Sequence, residues 1–209
     1  MKNKKRFMRL ALLLMGVFLV FAINCSKDDD DNSSSFTDSR DSKTYNWVKI
    51  GEQVWMAENL AYAPSNGNYW AYDSNDANVE TYGYLYDWET ACDVCPDGWH
   101  LPSDAEWVEL TVYLGGKSIA GRKMKEIGTS HWDSPNEKAT NKSGFSALPG
   151  GVRDNDGTFD YMGHSASFWT STGNGNSDAW HLRLYYHSGC VYRYDYVKDF
   201  GFSVRCIRD

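Results

Sequence analysis

Pro102-Ser103-Asp104-Ala105-Glu106-Trp107 opens the stretch whose reading decides the fold. Ser103 and Glu106 match the S-x-x-E capping box, in which each side chain satisfies a free backbone N–H at a helix start. Trp107, Leu110 and Leu114 then share one face, and Gly115-Gly116 stops the helix. The stretch predicts one short helix whose apolar face belongs in a core. A second short helix is expected over Ile119 to Ile127, weakened by Gly121.

Outward from that helix the chain reads as strands and loops. Upstream, Val48 and Ile50 precede Gly51-Glu52, a pair suited to a type II′ turn, and Val54-Trp55-Met56 returns as the second arm of a hairpin. Residues 63–80 are turn-rich and carry Tyr69, Trp70 and Tyr72. A short helix is expected from Asp87 to Cys92, with Asp87 as its cap. Downstream, Phe168-Trp169-Thr170 is a compact β segment. Trp180, Leu182, Leu184 and Tyr186 alternate with His181, Arg183 and Tyr185, the pattern of a strand buried on one side. Val191, Arg193 and their tyrosine neighbours continue the sheet. Phe202, Val204 and Cys206 alternate with Ser203 and Arg205 in a terminal strand. The fold class is α+β: two short helices packed on a twisted, mainly antiparallel sheet with long ordered loops.

The first 31 residues concern location. Lys2, Lys4, Lys5, Arg6 and Arg9 precede an apolar run of 14 residues, Leu10 to Ile23, which reads as a signal peptide over residues 1–24. A permanent span would need about 20 apolar residues. Cys25 follows, then Ser26, Lys27 and Asp28 to Asp31. The arrangement resembles a bacterial lipoprotein signal, in which the cysteine takes the lipid, although Asn24 stands where a small residue is usual. The acidic run resembles the surface-transfer tag of Bacteroidota lipoproteins. The resemblance implies export, a lipid anchor at Cys25 in the outer membrane and a domain facing the cell exterior. Residues 25–43, rich in Ser and Asp with Phe36 as the one aromatic, read as a disordered tether. Residues 44–209 are left as a single domain.

Removing residues 1–24 takes away five positive charges and moves the net charge from -7 to -12. That balance excludes nucleic acid as a partner, since its binding needs a basic stripe. Four cysteines remain in the domain: Cys92, Cys95, Cys190 and Cys206. An even count in an exported chain reads as two disulfides, with three possible connectivities. A redox Cys-x-x-Cys would open a helix, whereas Pro96-Asp97-Gly98 is a turn, and a four-thiolate zinc site would need a second close pair.

Six segments together resemble a named family. They are Trp55-Met56-Ala57-Glu58-Asn59-Leu60, Tyr82 to Trp88, Cys95 to Trp107, Gly144 to Arg153, Phe168 to Ser171 and Gly201-Phe202-Ser203-Val204-Arg205-Cys206. In that order they resemble the Fibrobacter succinogenes major paralogous domain, over about residues 45–208. The family is similar to C-type-lectin-like domains and is found mostly on exported bacterial proteins. The resemblance implies paired terminal strands and a bridge between Cys95 and Cys206, leaving Cys92 to pair with Cys190.

Chemistry is less legible. Asp73-Ser74-Asn75-Asp76 begins like a calcium loop but lacks the ligand and glycine that should follow. Asp154-Asn155-Asp156-Gly157 could offer oxygen ligands to a structural calcium, yet suits a hairpin turn better. No cofactor or catalytic residue is expected. Gly163-His164-Ser165-Ala166-Ser167 lacks the last glycine of a nucleophile elbow, and the five histidines have no metal-ligand spacing. An oxidoreductase of the formylglycine-generating type, similar in fold class, would need a reactive cysteine pair. Tyr69, Trp70, Tyr72 and Trp132, in loops, are the candidates for ligand binding, because flat exposed rings stack on sugars and peptides. The expected function is a surface-anchored, non-catalytic module for a glycan or cell-surface protein. The rival is a structural or assembly subunit whose aromatics are internal.

Overall fold

A computed structural model describes residues 33–209. The signal peptide, Cys25 and the start of the tether lie outside the described residues. The chain begins with β1 (Ser33–Thr37), β2 (Thr44–Ile50) and β3 (Gln53–Met56). After a loop come β4 (Tyr69–Trp70), α1 (Val79–Tyr82), β5 (Leu85–Tyr86), α2 (Trp88–Asp93) and β6 (Trp99–His100). Two helices follow, α3 (Asp104–Tyr113) and α4 (Ala120–Met124). The rest is β7 (Gly150–Arg153), β8 (Phe159–Met162), β9 (Ser165–Asn174), β10 (Asp178–Tyr185), β11 (Tyr192–Val197), β12 (Phe202–Ser203) and β13 (Ile207–Arg208). The class is α+β, with more sheet than helix, and α2, α3 and α4 fall where short helices were expected. The additional one, α1, is a single turn of four residues between β4 and β5.

Two sheets form, ordered β1-β2-β3-β13-β6 and β11-β10-β9-β12-β5-β4, the second also carrying the β7–β8 hairpin through β7 and β9. Pairing is antiparallel except for single-residue parallel contacts of β9 with β12 and β7. The C-terminal strand closes on the N-terminal hairpin, with Ile207 opposite Trp55. In the β2–β3 turn Gly51 has φ +66°. The capping box at α3 forms in full: Glu106 Oε2 accepts from the Ser103 backbone at 2.7 Å while Ser103 Oγ accepts from the Glu106 N–H. The weak point at Gly121 has a packing reason. A Cβ there would meet the Cys190 carbonyl oxygen at 2.6 Å, so only glycine lets α4 approach that segment.

Two hydrophobic clusters share the strands between them. Trp55, Phe168, Leu182, Leu184 and Ile207 join Trp107 and Leu110 of α3 in the first. Met56, Trp169, Ala179, Phe202 and Cys206 form the second with Tyr45 and Tyr86. Neighbours such as Phe168 and Trp169 point to opposite faces of a strand, so β3, β9 and β10 feed both clusters. This corrects the one-sided burial expected of the late strands. His181 and Arg205, assigned to open faces by alternation, are both 0% exposed, whereas Trp180 is only half-buried.

A second correction concerns the tether. Residues 33–37 pair along their whole length with Thr44–Val48. Phe36 stacks on Trp99 at 4.6 Å, and buried Asp38 accepts hydrogen bonds from the backbone N–H and the guanidinium of Arg40, which also donates to the Val94 carbonyl. Low apolar content was a poor guide here, because a backbone ladder, one ring and one ion pair suffice when a sheet edge is waiting.

Candidate functional site

The structure scatters the four aromatics singled out from sequence. Trp132 is 1% exposed, and its indole N–H donates to the Ala147 carbonyl at 2.9 Å. It is a core residue, which corrects its candidacy: its N–H found an internal partner, so the whole ring could be buried. Tyr69, Trp70 and Tyr72 remain half-buried, each packed against a neighbouring side chain. Tyr69 packs edge-on against Tyr84 at 4.9 Å, the Arg153 guanidinium covers Trp70 at 4.0 Å, and Tyr72 lies 5.4 Å from Phe159.

The cysteines divide differently from expectation. Cys95 and Cys206 are bonded, with Cα atoms 5.9 Å apart across 111 positions of sequence. Cys92 and Cys190 are free, so the second bridge is corrected. They belong to different parts of the molecule: Cys92 packs from α2 against the second cluster, while Cys190, in the turn before β11, packs against α4 with its Sγ 3.7 Å from the Ser118 carbonyl. Burial, with nearby carboxylates, pushes the Cys92 thiol up to about 11. A thiol held protonated is a poor nucleophile.

Acidic and histidine side chains are used internally. Asp154 and Thr158 close the β7–β8 turn, where Gly157 takes φ +97° and Asp156 accepts from the Thr158 N–H and hydroxyl. Among the described residues no group of three or more His, Cys, Asp or Glu is arranged to hold a metal ion. His100 bridges Asp209 at 2.6 Å and Glu106 at 2.9 Å. Burial opposes its charge, but the hydrogen bonds to the two carboxylates outweigh it and raise its pKa.

What the fold does assemble is a tyrosine face that the sequence analysis treated only as sheet continuation. On β11, Tyr192, Tyr194 and Tyr196 alternate with Arg193 and Asp195, so the three rings project on one side. In register with β10 they stand opposite Arg183, His181 and Ala179. Tyr192 and Tyr194 are parallel within 4° at 6.1 Å, and Tyr185 meets Tyr192 at 5.3 Å. Arg183 lies 4.9 Å from Tyr161 and 5.4 Å from Tyr185. Tyr161, Tyr194 and Tyr196 expose 52%, 39% and 40% of their surface.

Buried His181 supports this face, 5.9 Å from Tyr194, 5.8 Å from Tyr196 and 4.5 Å from Phe202. Burial, then repulsion from Arg183, depresses it to about 3, so the ring is neutral at ordinary pH. Burial and the neighbouring tyrosines raise the Tyr194 pKa, keeping its hydroxyl protonated and able to donate. The readable signal was Tyr-x-Tyr-x-Tyr at period two. On the other side of this hairpin an apolar groove of about 610 Å³ separates it from α3, lined by Trp107, Val108, Val112 and Leu182.

Fold and site together define a disulfide-closed α+β domain with an open aromatic face. Residues 48–208 match the Fibrobacter succinogenes major domain, and the chain belongs to that family. No curated protein and no solved structure matches it.

Proposed function

We propose that the protein is a surface-anchored, non-catalytic binding module that takes a glycan on the tyrosine face of β10 and β11. The observation that carries this reading is the juxtaposition of Tyr185, Tyr192, Tyr194 and Tyr196 with Arg183 beside Tyr161. Flat rings take the apolar face of a pyranose, phenol hydroxyls and a guanidinium donate to its oxygens, and no nucleophile is needed. The C-type-lectin-like architecture, which the family resemblance implies, is part of the same proposal. So is lipid attachment at Cys25, which rests on the signal sequence and is tested by fatty-acid labelling: equal labelling of Cys25→Ala would remove it. A formylglycine-generating type of oxidation is disfavoured by the separation of the two free thiols.

Calorimetric titration of the full chain with a panel of host and plant oligosaccharides tests the main reading. Saturable binding that falls about tenfold in Tyr194→Ala, and less than threefold in Trp70→Ala, is the expected result. Silence across the panel, or binding indifferent to Tyr194, overturns it. The rival role, an assembly subunit, draws on a different feature, the open edge of β11.

A further inference from the structure

We propose that β11 is a self-association edge, on which two copies of this chain pair antiparallel about a twofold axis at Tyr194. The strand is the outermost of its sheet, six residues long, and residues 193–196 are exposed. Such an edge offers a row of unpaired N–H and C=O groups, a template for another strand. The opposite edge of the same sheet, β4, has only two residues.

The sequence of β11 names the partner. A twofold perpendicular to the sheet joins like faces, so only pairings of odd with odd and even with even residues are allowed. Centred on Tyr194, each Arg193 falls opposite Asp195 of the partner subunit, and each Tyr192 opposite Tyr196 of the partner subunit. A slip of two in one direction puts Arg193 on its own symmetry mate; a slip in the other does the same to Asp195. Parallel pairing in register also sets like against like. Like charges directly opposite destabilise a ladder and opposite ones support it, so the charge pattern selects one register.

The side chains are placed for it. Arg193 stacks over Trp180 at 3.3 Å and donates from Nε to Asp104, and its terminal nitrogens point no hydrogen bond elsewhere among the described residues. Asp195 accepts from Asn174 on Oδ2, which leaves Oδ1. On the other face the three tyrosines of each copy would join into one band of six across the axis. The inference does not depend on the glycan reading, since its test contains no ligand.

Cysteine cross-linking of the full chain in cells is decisive. Under mild oxidation Tyr194→Cys should give a predominantly disulfide-linked dimer on non-reducing gels, well above wild type and above Val112→Cys, an exposed control on α3. In the Tyr194→Cys background, Asp195→Arg should cut the dimer at least fivefold, while Asp195→Glu retains it. A Tyr194→Cys yield no higher than that of Val112→Cys, or one that Asp195→Arg leaves unchanged, overturns the proposal.

Discussion

Two arginine-bearing regions in the second half of the chain are built to opposite ends. Around Arg205 the molecule closes. The side chain is wholly buried, with Nε donating to Asn59 at 2.7 Å, Nη1 to the Met56 and Phe145 carbonyls, and Nη2 to the Ser146 carbonyl at 2.9 Å. Next to it Cys206 is bonded to Cys95. Around Arg183 and Arg193 the molecule opens: both guanidinium groups lie across partly exposed rings, and among the described residues the adjoining strand has no neighbour on its outer side. The closing region is made from the segments that carry the family resemblance, Trp55 to Leu60, Gly144 to Arg153 and Gly201 to Cys206. The open face comes from residues between those segments. In this chain the recognisable motifs build the frame, and the exposed tyrosine face lies in the stretch they do not cover.

The comparison can be broken most forcefully at the bridge. Replacing Cys95 and Cys206 together by alanine frees a loop of 111 residues and should lower stability by about 4 kcal/mol, read as the shift in denaturant midpoint. Arg205→Met is next. It leaves Asn59 Oδ1 and three buried carbonyls without their donor, and a loss of about 3 kcal/mol is expected in the same assay. A near-neutral result would show that the closed region is held by packing alone.

A smaller effect tests the layer beneath the open face. His181 must be neutral when folded, because burial depresses it to about 3, whereas an unfolded histidine takes a proton near pH 6.5. The unfolded chain therefore binds more protons between those values. Stability should be intact above about pH 6.5 and fall by up to ~1.4 kcal/mol per pH unit below it. His181→Phe should remove that slope. His100 runs the other way: its raised pKa gives a contribution present at low pH and lost as pH rises through the folded value, and His100→Gln should abolish it. Smallest of all, Tyr194→Ala should change stability by less than about 1 kcal/mol, since an exposed ring on an edge strand supports little else. A large loss there would make the tyrosine face part of the frame and erase the distinction.

Much of the frame was legible. Ser103 and Glu106 announced α3, Asp87 announced α2 by accepting from the Thr90 N–H, and Gly51-Glu52 marked the hairpin turn. These are local features whose energetics are complete within a few residues. Period-two alternation, by contrast, tells which residues share a face but not what covers it. Hence alternation assigns His181 and Arg205 to open faces, although Phe202 of the second cluster lies over His181 and Phe145 of the first lies over Arg205. Phe36 alone is too little apolar content to predict β1, because the ring it stacks on, Trp99, is distant in sequence. Trp132 looked like a loop aromatic because its acceptor, the Ala147 carbonyl, is set by the fold.

The free thiol on α2 has a consequence for how the chain reaches this state. Cys92 stands three residues from Cys95, so to Cys206 arriving from the far end of the chain the two are nearly equidistant competitors. Under oxidising conditions capture by the wrong one would lock the terminal strand out of register with β3. Oxidative refolding of the wild-type chain should therefore yield a mixture that resolves slowly by thiol exchange, and Cys92→Ala should refold in a single pass.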